Sequence, residues 1–209
     1  VNVAWKTPQF WCIWVVLCMN VTAGIGVLGQ ASVMSQEMFG LTVAAGAGFV
    51  GVLSLSNMLG RIFWASLSDV IGRKNTYFCF FIIGIALYAL VPQTGALGSV
   101  LLFVICSAVI LTMYGGGFAT VPAYLKDMFG TKYVGAIHGR LLTAWAVAGV
   151  LGPVLVNYIR QYQIDVVGIP PAQAYNTTMY IMAGLLVVGL IANSLIKPVD
   201  PKYHLAEES

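Results

Sequence analysis

Apolar residues run along this chain in six long blocks, separated by short joints that hold most of its charges. The blocks lie near 8–32, 44–67, 75–92, 98–122, 134–159 and 174–196. A hydrocarbon core of ~30 Å takes about 20 helical residues to cross, and each block approaches or exceeds that length. None alternates polar and apolar positions as a barrel strand does. Lipid offers the backbone no hydrogen-bond partners, so these blocks are predicted to be helices. The pattern predicts an all-α membrane protein with six transmembrane helices, with residues 1–209 forming one six-helix unit in a lipid bilayer.

Composition supports that solvent. The chain is 59% hydrophobic and 8% charged, where soluble domains carry roughly 25% charged residues. Its net charge of +3 gives no nucleic-acid signal, because the cations stand beside helix ends. Cys12, Cys18, Cys79 and Cys106 all fall inside the apolar blocks without metal-ligand spacing, and packing without disulfides is expected of them. No nucleophile–base pair, metal cluster or phosphate loop stands out, so neither an enzyme nor a cofactor is expected.

Charge placement predicts orientation. Lys6, Arg73, Lys74, Lys126, Lys132, Lys197 and Lys202 lie in joints on one side of the six blocks, and Arg160 lies on the other. By the positive-inside rule the first side, with both termini, is cytoplasmic. Residues 34–43 and 160–173 are then expected to face outward.

A second pattern concerns organisation. The stretch "GVLGQASVMSQEMFG" (26–40) ends the first block and "GGFATVPAYLKDMFG" (116–130) ends the fourth. Both begin at a glycine-rich segment and finish on an acid followed by Met-Phe-Gly. The predicted topology puts one copy outside and the other inside, which suggests a 3+3 inverted repeat of the kind found in secondary transporters. Gly24, Gly26 and Gly29, Gly115–Gly117, and Gly149, Gly152 and Pro153 are expected to permit close packing or bends.

The strongest chemical signal lies in the second block. Ser54, Asn57 and Arg61 share one helix face. Arg61 precedes Asp69 by eight residues, about 12 Å along a helix from the cytoplasmic end. A cation at such depth costs on the order of 3 kcal/mol on insertion scales. It must therefore face a neighbour or a water-filled cavity. No Asp or Glu falls inside the apolar blocks. A carboxylate from another chain segment or from a substrate would match the planar guanidinium fork.

"ASLSDVIGRK" (65–74) resembles the loop signature of the major facilitator superfamily, G-x-L-a-D-R-x-G-R-K, through Leu67, Asp69, Gly72, Arg73 and Lys74. Ala65 and Val70 depart from it. The resemblance implies the C-terminal half of a twelve-helix carrier working by alternating access, multi-pass in a bacterial inner (plasma) membrane. It also implies that a missing N-terminal six-helix half is the partner and that the loop charges act in gating. The start at Val1, without methionine or signal peptide, is expected of a fragment or truncated product.

"GRIFW" with a polar residue one turn earlier is similar to the oxalate/formate antiporter family and the related monocarboxylate transporters. That resemblance implies that Arg61 binds the carboxylate of a small organic anion. Monocarboxylate transporters carry an aspartate where Asn57 stands. Oxalate-exchanging members carry a second cation on the fifth helix, near Trp145 here. One cation favours a monoanion, and the amide at 57 favours exchange over proton symport. Tyr114 could donate to the substrate, and Arg140 could touch it or anchor the start of the fifth helix. His138, beside Arg140, is expected to be structural. Two alternatives remain open: a sugar or drug carrier in which Arg61 pairs with an acid of the other half, or a non-transporting half-carrier subunit or receptor.

Overall fold

The computed structural model describes residues 4–200. Val1 and Lys202, used above for chain start and orientation, lie outside the described residues. Six helices follow one another: α1 (Pro8–Phe39), α2 (Val43–Ile71), α3 (Arg73–Ala96), α4 (Val100–Phe129), α5 (Val134–Asp165) and α6 (Ala174–Leu195). Short 3₁₀ turns, Ala4–Lys6 and Pro171–Gln173, precede α1 and α6. All six helices, the last counted with its 3₁₀ turn, are long and apolar enough to cross a membrane.

Local chemistry sets the ends. Thr7, Thr42 and Ser99 cap α1, α2 and α4, each accepting a backbone N–H with its hydroxyl. Pro8 occupies the first turn of α1, where its missing N–H costs nothing. Several helices run beyond the expected spans, notably through 33–39, 123–129 and 160–165. Polar residues such as Gln36, Glu37 and Lys126 do not stop a helix; α1 and α4 end only at Gly40 and Gly130, both at positive φ. The joints predicted at 34–43 and 160–173 are correspondingly shorter. Between α2 and α3 the joint is Gly72 alone, at φ 87°, a conformation that a side chain would strain.

Three pairings dominate the packing: α2 with α4, α1 with α5, and α3 with α6. The helix at the centre is α1, with 61% of its most apolar stretch buried, against 22% for α2 and for α5. These two uncovered helices present Leu55, Leu59, Ile62 and Phe63, and Val147, Val150 and Val154, on open faces. The helices run unbroken through the glycine clusters, most of which serve as contact points. A Cβ at Gly60 would collide with the Thr112 backbone, and one at Gly115 with the Asn57 carbonyl. These close approaches press α2 onto α4 and fix the rotation of α2 about its axis.

Candidate functional site

Rotation of α2 places Trp64 inward, where its indole N–H donates to the Thr112 hydroxyl of α4 at 3.2 Å. Beside it, on the neighbouring side of α2, Ser54, Asn57, Met58 and Arg61 line an open depression of about 270 Å³. Arg61 Nε donates to Asn57 Oδ1 at 3.3 Å. Its guanidinium also lies over the Phe118 ring of α4, 5.4 Å from the centroid. Such a cation–π contact contributes about 0.5–1 kcal/mol when exposed and more when desolvated. Phe118 in turn meets Trp145 of α5 edge-on, with centroids 6.3 Å apart. No carboxylate pairs with Arg61 among the described residues. The predicted stripe is thus assembled. Phe118, hidden behind a glycine run, is the neighbour that sequence reasoning missed.

Other candidates stand apart from this depression. Tyr114 is half-buried on α4 against Gly24 and borders a small internal gap with Asn20 and Tyr88. Arg140 lies over the Trp5 ring at 5.2 Å, beside the aromatic cluster Trp5, Phe10, Trp11 and Trp14. Its placement is that of an anchor joining the start of α5 to the segment before α1. His138 is half-buried on the same turn, and its Nδ1 has no hydrogen-bond partner among the described residues.

The loop signature folds into two contacts. Arg73 pairs with Asp69, donates to the Ser68 hydroxyl, and reaches Asp127 at the end of α4 at 3.4 Å. Leu67, one turn before the end of α2, is half-buried against the apolar core. Lys74 turns away from these acids and donates to the Ser194 and Ile196 carbonyls at 3.2 and 2.6 Å. Asn193 returns a bond to the Lys74 carbonyl at 3.0 Å. Lys74 therefore fastens α3 to the end of α6, a contact within this one six-helix unit.

At the opposite end lies a network that the sequence reading dispersed among loops. Arg160, in the last turns of α5, grips both oxygens of Glu37 at the end of α1, with Nε to Oε2 at 3.0 Å. The Tyr175 hydroxyl of α6 donates to Oε2 at 2.7 Å. Glu37 occupies the same place in its acid-Met-Phe-Gly ending as Asp127 does in the other. The shared motif was the available signal, since both acids hold an arginine from a distant helix end.

A bundle of six helices long and apolar enough to cross a membrane, one of them carrying a cation without an acid partner among the described residues, has the build of a transport protein. Its sequence matches the Major Facilitator Superfamily model over residues 1–153, and the chain belongs to that superfamily. Over 150 residues it is 36% identical to the oxalate:formate antiporter of Oxalobacter formigenes, covering 70% of this chain and 35% of that protein. An uncharacterized MFS-type transporter of Escherichia coli, YhjX, is 24% identical over 69% of this chain and 36% of its own length. Apicoplast pyruvate carrier 2 of Toxoplasma gondii is 30% identical over 54% and 17% respectively. The chain thus matches about a third of the length of the first two of these curated relatives.

Proposed function

We propose that this chain is one six-helix half of a secondary carrier that moves a small organic monoanion, with Arg61 as its carboxylate-binding group. The observation that carries the reading is Arg61 itself: a cation deep in a membrane helix, oriented by Asn57 and Phe118 and without an acid among the described residues. Relatives named for oxalate, formate and pyruvate handle carboxylates, which supports the same chemistry here. Trp145 stands near the place of a second cation and makes an aromatic wall with Phe118, which suits one negative charge better than two. Ser54 and Asn57 complete the polar side, with Tyr114 and Arg140 at greater remove.

The packing supports an internal 3+3 repeat. Exchanging α1 with α4, α2 with α5 and α3 with α6 turns the α2–α4 pairing into α5–α1 and leaves α3–α6 unchanged. The uncovered faces of α2 and α5 suit a second six-helix half, with the substrate held between the halves as in alternating access. The Arg73–Asp69–Asp127 cluster, beside the Gly72 joint, would tighten or loosen as the halves rock.

Three outcomes follow. Liposomes containing residues 1–209 alone should show no counterflow of labelled formate or lactate above empty liposomes; robust counterflow would mean that a dimer of this half is sufficient. With both termini cytoplasmic, a single cysteine at position 132 should resist impermeant thiol reagents in intact cells and one at 165 should react, and the reverse pattern would invert the topology. Arginine keeps its charge and the Asn57 amide does not titrate near neutral pH. Exchange is therefore expected in full-length carrier, and strong pH-gradient-driven accumulation into liposomes lacking internal anion would refute it.

A further inference from the structure

Between the ends of α3, α4 and α6, in a separate place from the Arg61 depression, lies a broader hollow of about 700 Å³. Met128, Ile196 and Val199 give it an apolar wall, Tyr124 lines it with its hydroxyl closed off, and Lys74 and Lys197 stand at its polar margin. Lys197 is exposed and forms no ion pair among the described residues. Lys74 uses two of its three N–H donors on the carbonyls ending α6, which leaves one. The acid on the rim, Asp127, is already held by Arg73.

We propose that this hollow binds an anionic phospholipid. The phosphate would accept from Lys197 and from the remaining Lys74 donor, while an acyl chain covers Met128, Ile196 and Val199. Basic pockets among the ends of membrane helices match anionic headgroups. The apolar wall selects a lipid over a soluble phosphate, which would leave it uncovered. A zwitterionic lipid brings its own cation and loses most of the attraction. Such a lipid would strap together the ends of α3, α4 and α6 beside the Arg73 cluster, whatever anion Arg61 receives.

Native mass spectrometry of the purified full-length protein in detergent tests this, with phosphatidylglycerol, phosphatidylcholine and glycerol phosphate as probes. One saturable phosphatidylglycerol is expected, at least about tenfold tighter than phosphatidylcholine. Lys197→Gln should weaken it about fivefold, the contribution of one lysine near an anionic surface, and Lys197→Arg should restore it. Equal affinity for the two lipids, or no loss in Lys197→Gln, overturns the proposal. Displacement by glycerol phosphate at matching concentration overturns it in favour of a soluble phosphate. Lipid binding that emerges only after removal of the residues following Asp200 overturns it in favour of the chain's own terminal segment.

Discussion

Arg61→Ala is expected to abolish anion uptake, lowering transport at sub-saturating substrate by at least a hundredfold. A hydrogen bond to a charged group contributes about 1.5–3 kcal/mol, and a guanidinium grips a carboxylate with two, so the loss is about 3–6 kcal/mol. At 1.4 kcal/mol per factor of ten, that is roughly two to four orders of magnitude. Arg61→Lys keeps the charge and loses the planar fork that Asn57 Oδ1 and Phe118 hold in place, so an intermediate loss of about tenfold is expected. Counterflow of labelled formate and lactate through the full-length carrier in liposomes measures both, with melting temperature as the check on folding. Neither substitution removes a described ion pair, so melting should change little. Alanine retaining half the wild-type rate would exclude Arg61 as the carboxylate group.

Two kinds of information separate here. Six apolar blocks long enough to cross a bilayer define six helices without any knowledge of packing. The i, i+4 spacing of Asn57 and Arg61 likewise puts them on one face, as their 3.3 Å contact shows. Helix ends were less legible, because hydropathy falls at Gln36 and Lys126 whereas the backbone turns only at Gly40 and Gly130. Partners distant in the chain were not legible at all. Glu37 and Arg160 are 123 positions apart and each, taken alone, reads as a loop charge. Phe118 reads as one more apolar residue until α2 and α4 are brought together at Gly60 and Gly115. Lys74 and Arg73 stand side by side in the loop signature, yet one turns to carbonyls and the other to carboxylates. The difference fits their shapes, since an ammonium gathers single acceptors and a guanidinium presents a fork.

Glu37→Gln is expected to lower the melting temperature of the purified protein by about 4–8 °C, at 2–4 °C per kcal/mol for a chain of this size. Glu37 joins three helix ends, accepting both arms of Arg160 and the Tyr175 hydroxyl. Removing one member of a fully buried pair costs about 3–5 kcal/mol, because the other charge stays behind in a poor solvent. Both side chains here are 22% exposed, so solvent reduces that to about 2 kcal/mol. Tyr175→Phe removes a single hydrogen bond and should cost about half as much. The informative variant is the double one, Glu37→Leu with Arg160→Met. Replacing both charges removes the pairing together with the cost of holding ions away from water, so the double variant should melt above either single charge-removal variant. Thermal unfolding of wild type, Glu37→Gln, Tyr175→Phe, Glu37→Leu, Arg160→Met and the double variant in one detergent, followed by intrinsic tryptophan fluorescence, gives these values. A double variant less stable than both singles would mean that the pair contributes net stability. A Glu37→Gln midpoint within a degree of wild type would mean that α1, α5 and α6 are held at this end by their apolar contacts alone.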